Sequence, residues 1–298
     1  MRNSFIQKLT QMAETDERIV LLVGDLGYSV IEEFREKFPK RFYNVGIAEQ
    51  NMLGLATGLA KSGFIPYVYS IVPFAALRPY EFIRNGPVLH ELPVRIVGVG
   101  GGFEYGTNGP THWGLDDLGV MRIQPGMTVL APTNNEETMA TLEATHNLPG
   151  PVYYRLCKDN TPATKYNSFE WNQVNWVLHS AKKNTLVLYT GAMGNNVMEA
   201  VKDQHLSISV ASVTCLNPVP SNLVNILKQY SEVVTVESHY SKGGLGSMVC
   251  ELVATNAIGC MVKVIGVEKL SRCVGSRAFM EELHGLSPQG ILAKIIAG

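Results

Sequence analysis

Along the first half of the chain, unbroken apolar runs alternate with stretches whose apolar residues recur every third or fourth position. Ile19-Val20-Leu21-Leu22-Val23 is the first such run, ended by Gly24-Asp25. Similar runs lie at Ile65–Ile71, Val94–Val99, Val129–Ala131 and Val152–Leu156. Continuous apolarity of this length fits a strand covered on both faces, as in parallel sheets. Helical spacing fills the intervals near Val30–Phe38, Ala48–Lys61, Phe74–Leu89 and Glu136–Asn147, and the opening MRNSFIQKLTQMAETDERIV reads as a helix leading into the first strand. Strands alternating with helices predict a doubly wound parallel α/β sheet.

The pattern lapses between Lys158 and Asn175 into the polar, turn-rich KDNTPATKYNSFEWNQVN, then resumes. This predicts a first domain over residues 1–160, a linker over 161–178 and a smaller α/β domain over 179–298. Its strands are expected at Thr185–Tyr189, Ile208–Val213, Val233–Val236 and Val262–Gly266. Its helices are expected near Asn195–Gln204, Leu223–Tyr230, Gly246–Ala257 and Pro288–Ile296. Ligands of such sheets sit beyond the carboxyl ends of the strands. Chemistry is therefore sought at Gly24–Ser29, Gly46–Gln50, Tyr69–Phe74, Gly100–Trp113 and Arg155.

Composition removes several classes. With 298 residues, a net charge of −1, 46% hydrophobic and 17% charged residues, the chain reads as compact and soluble. There is no basic stripe, which argues against nucleic acid, and no apolar run near the roughly 20 residues that span a bilayer. The five cysteines, Cys157, Cys215, Cys250, Cys260 and Cys273, are scattered without a CxxC pair. They read as thiols of a reducing cytoplasm, and no zinc spacing occurs.

The stretch RFYNVGIAEQNMLGLATGLAKSG, Arg41 to Gly63, stands out. A short alternating run breaks at Gly46 and becomes a helix in which Gly54 and Gly58 would let a neighbour pack closely; Gly63 closes it. Glu49 sits at the strand-to-helix junction among Ile47, Ala48, Met52 and Leu53. A carboxylate among apolar neighbours is expensive to ionise; a first-turn Glu is also what the helix dipole favours. Gly24-Asp25-Leu26-Gly27-Tyr28-Ser29 reads locally as a turn with Asp25 capping the next helix. The glycine-rich run Gly100 to Trp113 argues for close approach of backbone to a ligand or for a mobile loop, and lacks the Lys-Ser/Thr of a P-loop. Its His112 is, by itself, an ordinary loop histidine. Arg155 at a strand end could pair with a surface acid.

Gly46-Ile47-Ala48-Glu49-Gln50 followed by a glycine-spaced helix resembles the cofactor-activating segment of transketolases and 1-deoxyxylulose-5-phosphate synthases. About 60 residues on, Gly109-Pro110-Thr111-His112 resembles the GPTH signature of the same family. The resemblance covers nearly the whole chain. It implies thiamine diphosphate as cofactor, with Glu49 bonding the aminopyrimidine ring and supporting its imino tautomer. The cofactor is the electron sink; the protein supplies tautomer control, placement and proton movement. Asp25 falls near the cofactor and Ser29 near the sugar phosphate. Phe74, and after it Tyr69, match the aromatics that stack on the pyrimidine, and Arg78 matches an Arg of the same helix. His112 corresponds to the residue that contacts substrate oxygens and moves protons, and Arg155 to one that grips phosphate. Glu237 to Gly246 resembles the Gly-Gly-x-Gly helix start of the family's C-terminal domain, with no catalytic role assigned.

Two departures bear on substrate. Asn108 stands where the family has Asp to read the donor's hydroxyl, and Gly100-Gly101-Gly102 stands where many members carry a basic residue facing phosphate. No stretch resembles the family's diphosphate- and metal-binding domain. The resemblance thus implies a C-terminal subunit of a split transketolase, transferring a two-carbon ketol unit from a ketose or ketose phosphate to an aldehyde. A separate N-terminal subunit would hold the diphosphate and Mg²⁺, in a heterotetramer at least. A carboligase taking pyruvate or another keto acid is the alternative. A non-catalytic scaffold is disfavoured by the joint presence of Glu49 and His112.

Overall fold

The structure is a computed structural model that describes residues 1–158, 168–180, 184–202 and 208–297. Its strands are β1 (Ile19–Val23), β2 (Phe42–Asn44), β3 (Ile65–Ile71), β4 (Arg95–Val99), β5 (Thr128–Leu130) and β6 (Val152–Leu156), then β7 (Val174–Leu178), β8 (Thr185–Tyr189), β9 (Ile208–Val213), β10 (Cys215–Asn217), β11 (Glu232–Tyr240) and β12 (Met261–Val267). Among the described residues they form a seven-stranded sheet, β10-β5-β6-β4-β3-β1-β2, and a five-stranded sheet, β12-β11-β8-β9-β7. Pairing is parallel except at the edges, where β10 runs antiparallel to β5 and β7 antiparallel to β9. The expected parallel-dominated α/β architecture is thus present in both halves.

The first sheet is covered on both faces, which is why its strands read as unbroken apolar runs. Val20, Leu22, Val68 and Ile96 meet Met52, Leu53 and Ala56 of helix Glu49–Lys61 on one face. Leu21, Val23, Tyr67 and Tyr69 meet Phe5, Ile6 and Leu9 of helix Arg2–Thr15 on the other. From β1 the chain passes to β2 on one side and to β3 on the other. This reversal opens a crevice at the carboxyl ends of the strands.

Three elements differ from the pattern-based expectation. The helix expected over Phe74–Leu89 is broken into Val72–Ala76, Tyr80–Ile83 and a wide turn at Arg84–Val88. Pro79 precedes the second piece and Pro87 lies inside the third, each removing a backbone donor. Of the expected linker, residues 161–167 lie outside the described ones, but Val174–Leu178 is the edge strand β7 rather than linker. Finally, β10 leaves the second half of the chain to pair with β5 of the first sheet, Cys215 opposite Leu130.

Candidate active site

The chain crosses from β1 and β2 into the site through a small polar knot. The Asn44 side-chain oxygen accepts the backbone N–H groups of Asp25 and Gly46, each at 3.0 Å. Gly46 has φ 74, a left-handed geometry that suits glycine. Helix Glu49–Lys61 starts immediately afterwards with no side-chain cap. Glu49 is only 2% exposed, yet it has a charged neighbour that the apolar pattern around it does not foretell. Arg78 donates from Nη1 to Glu49 Oε2 at 2.8 Å, reaching in from the turn between two short helices, and is itself 43% exposed. The other oxygen, Oε1, has no hydrogen-bond partner among the described residues.

From this ion pair a row of side chains runs across the crevice. The Arg78 guanidinium lies 4.2 Å over the Phe74 ring, a stacked cation–aromatic contact. The Phe74 ring meets His112 edge-on at 5.1 Å. His112 Nδ1 is 2.9 Å from Thr111 Oγ1, and its ring lies 6.4 Å from that of Tyr105. The Lys158 ammonium sits 5.2 Å from the Tyr105 ring centre. A buried carboxylate with an open oxygen, an aromatic ring, an imidazole and an ammonium therefore succeed one another. The first pair can hold a flat hydrogen-bonding ring; the last pair can hold hydroxyls and an anionic tail. Lys158 escapes a reading by pattern because it opens the polar stretch after β6. A cation immediately beyond a strand's carboxyl end was the available signal.

Glu49, Phe74, Arg78 and His112 are brought together. The remaining candidates fare differently. Asp25 (φ 53) and Ser29 (φ 65) lie on the exposed turn after β1. Asp25 Oδ1 accepts from Asn44 Nδ2 at 3.1 Å, and a Cβ at Gly24 would stand 3.7 Å from Glu49 Oε1, so this turn adjoins the carboxylate. Ser29 donates its backbone N–H to Glu32 Oε1 at 2.7 Å. Asn108 is exposed on the same loop as His112. Tyr69 is corrected to a core residue: it is 2% exposed, and the two-residue period of β3 turns it to the face opposite helix Glu49–Lys61. Burial pushes its phenol well above the usual range.

Arg155 is corrected as well. It is 4% exposed, and two of its three guanidinium nitrogens are engaged within the chain. Nε donates to Asp117 Oδ2 at 3.0 Å, and Nη2 to the Gly114 and Ser238 carbonyls at 2.7 and 2.8 Å. Burial works against its charge, but Asp117, Tyr153, Cys157 and Glu237 together outweigh it and raise the pKa. Arg155 is thus a tie between the two domains rather than a phosphate ligand.

The glycine-rich start of helix Leu245–Thr255 is filled from within. Glu237, 0% exposed, accepts the N–H groups of Leu245 and Gly246 at 2.8 Å each. Gly54 and Gly58 have no chain atom within 4 Å of where a Cβ would stand, so the close approach expected there is not made inside this chain. Beside them Leu55 is 45% and Ile47 76% exposed. A cavity of about 730 Å³ lined by Arg84, Gln124 and Gly150 lies at the opposite, amino ends of the strands. Among the described residues no group of three or more His, Cys, Asp or Glu side chains is arranged to hold a metal, and no helix is long and apolar enough to cross a membrane.

Comparison with known proteins agrees with this arrangement. The family model of the transketolase pyrimidine-binding domain matches residues 1–164, and that of the transketolase C-terminal domain matches residues 175–291. A putative transketolase C-terminal section of Methanocaldococcus jannaschii is 31% identical over 99% of this chain and 95% of its own length. One subunit of an apulose-4-phosphate transketolase of Actinobacillus succinogenes is 30% identical over 98% of this chain and 96% of its own. A solved split-gene transketolase, described as an inactive β4 tetramer, superposes with a TM-score of 0.86 at 29% identity, covering 99% of this chain and 96% of that one. With Glu49 and His112 set in one crevice of a pyrimidine-binding domain, and a C-terminal domain packed behind them, the chain belongs to the transketolase family.

Proposed function

We propose that this chain is the C-terminal subunit of a split, thiamine-diphosphate-dependent transketolase, moving a two-carbon ketol unit from a ketose or ketose phosphate to an aldehyde. The observation that carries this reading is the row Glu49–Arg78–Phe74–His112–Lys158. The residues fit the cofactor's aminopyrimidine: a buried carboxylate with one oxygen open, beside an aromatic ring, suits a flat heteroaromatic group with a nitrogen to share a proton. When bound, the cofactor supplies the electron sink for cleaving and reforming a bond next to a carbonyl. Arg78 anchors the carboxylate so that Glu49 Oε1 can share a proton with the ring. Phe74 limits where the ring can lie. His112 moves protons at the substrate's oxygens, a task suited to imidazole near neutral pH.

Lys158 takes the role first looked for in Arg155, a cation facing a substrate phosphate. It supplies a cation for a phosphorylated substrate where Gly100-Gly101-Gly102 lacks one, while Asn108 keeps the keto-acid carboligase as the alternative. Diphosphate and Mg²⁺ are assigned to a second polypeptide. That assignment is supported by the relatives named as a C-terminal section and as one subunit of a transketolase, nearly all of whose length this chain spans. Residues Leu55, Gly54 and Gly58 beside Glu49 offer an open helix face on which such a partner could seat. Cytoplasmic location accords with the free thiols.

The test is reconstitution. The purified chain alone is expected to bind thiamine diphosphate weakly and to be inactive. Mixed with its N-terminal partner and Mg²⁺, it is expected to transfer ketol units in a panel of ketose phosphates, ketoses and pyruvate. Tight Mg²⁺-dependent cofactor binding by the chain alone would remove the partner from the scheme. Turnover of pyruvate in preference to every ketose would replace transketolase with the carboligase.

A further inference from the structure

The loop from Gly100 to Trp113 carries His112, yet little of it rests on its own sheet. Its neck is closed by two backbone bonds between Gly102 and Gly114, at 2.7 and 3.0 Å. Beyond the neck it meets the first domain through His112 on Phe74 and through Lys158, and it also reaches the second domain. Phe103, 1% exposed, stacks on His284 at 5.1 Å and meets Trp113 edge-on at 5.3 Å. Trp113 Nε1 donates to the Gly106 carbonyl at 3.1 Å. Gly106 itself is pressed on the second domain: a Cβ there would come within 2.5 Å of the Gly275 carbonyl oxygen.

An ion pair stands at the centre of this contact. The Glu104 side chain is 2% exposed and receives Nη1 of Arg277, the first residue of helix Arg277–Leu283. Glu104 Oε2 also accepts the backbone N–H of Lys158 at 3.2 Å. Arg277 is held from behind by Glu281, whose Oε1 accepts from Nε at 2.7 Å, and Glu281 Oε2 accepts from Asn196 Nδ2 at 3.0 Å. One buried carboxylate therefore joins a helix of the second domain, the His112 loop and the backbone of Lys158. Neither His112 nor Lys158 touches Arg277 directly.

We propose that Arg277 is a positioning residue for ketol transfer: through Glu104 it fixes where His112 and Lys158 stand relative to each other. The second domain thereby sets how a hydroxylated substrate with an anionic end is held. This rests on the functional reading above. Removing one partner of a buried ion pair is strongly destabilising, so loss of the guanidinium loosens the tie that holds the loop and Lys158 to the second domain. The Glu49 end of the site, anchored by Arg78 on other elements, is unaffected.

The test compares Arg277→Gln and Arg277→Lys with wild type in the reconstituted two-subunit complex. For Arg277→Gln, kcat/KM with a ketose phosphate is expected to fall about 10- to 100-fold, the range a small misplacement of catalytic groups produces. Exchange of the bound cofactor's thiazolium proton with deuterated water is expected to stay at the wild-type rate. Arg277→Lys keeps the charge without the fork and should fall between. On the full chain alone, hydrogen exchange read by mass spectrometry should quicken over residues 100–114 in Arg277→Gln and remain unchanged over residues 49–61. Wild-type transfer kinetics together with wild-type loop protection in Arg277→Gln would overturn the proposal alone. Loss of thiazolium exchange in step with transfer would overturn it too, because the damage would then be general. A wild-type complex with no ketol transfer would overturn the functional reading, and this proposal with it.

Discussion

Glu49 and Glu237 hold comparable places in the two domains. Each is a buried carboxylate beside the start of a glycine-containing helix, near the carboxyl end of a largely parallel sheet. Their hydrogen bonding differs. Glu237 spends both oxygens on the chain itself, accepting Leu245 and Gly246 N–H at 2.8 Å each, and a Cβ at Gly244 would come within 1.9 Å of its Oε2. Glu49 receives a single bond, from an arginine that is 43% exposed, and keeps Oε1 uncommitted. A glycine-rich helix start is thus no sign of a ligand site by itself. What separates the two is whether the fold has already satisfied the groups gathered there.

The contrast can be broken first at Glu49. Glu49→Gln preserves volume and leaves folding and partner binding nearly unchanged, because Arg78 can still donate to the amide oxygen. A neutral amide cannot share a proton with the cofactor ring, so thiazolium proton exchange in the complex should fall by about 10²–10⁴-fold, the usual worth of acid–base assistance. Exchange at the wild-type rate would reduce Glu49 to a helix-start residue. The converse substitution, Glu237→Gln, should act on stability instead. It points an amide NH₂ at one of two backbone donors in a fully buried site, which should cost about 1–3 kcal/mol in a denaturant titration. Turnover per folded complex should be retained; a stable but inactive Glu237→Gln would give this carboxylate a catalytic part and erase the contrast.

The smallest effect is expected on the face beside Glu49. Gly58→Ala places its Cβ in open space on a helix, so the isolated chain should gain about 0.5–1 kcal/mol. Assembly with the partner, followed by sedimentation, should weaken if that face is covered in the complex. Undiminished association would move the partner elsewhere.

Much of this was legible in the sequence. The alternation of apolar runs and helical spacing locates β1, β3, β4, β6, β8 and β9 to within a residue or two, because double-sided burial writes itself as continuous apolarity. Glu49 and His112 can be named from local motifs and Phe74 from its place just beyond a strand end, and the structure brings the three together. What stayed hidden depends on partners far away in the chain. Arg155 looks like a ligand until Asp117, 38 residues upstream, and the Ser238 carbonyl, 83 residues downstream, are seen to hold it. The salt bridge of Arg78 to Glu49 spans 29 residues. Tyr69 and Phe74 are both aromatics near one strand end; the facing of β3 turns Tyr69 into the core, while the short helix Val72–Ala76 carries Phe74 into the crevice. β7 reads as linker because the polar, turn-rich stretch before it runs into its first residues, where Asn175 is buried and bonded to the Glu170 and Gln173 carbonyls, a local capping role that the sequence pattern does not reveal.

The pairing of β10 with β5 bears on how the protein can be divided. The boundary that divides the polypeptide does not divide the hydrogen-bonded ladder, since the Cys215–Asn217 segment closes one margin of the N-terminal sheet. A fragment ending after β6 would present β5 with unsatisfied backbone donors and acceptors, a template for pairing with any other chain at hand. The two halves look modular on paper, but the first is not closed by its own residues: a truncation between them would expose the seam that the downstream half normally sews shut.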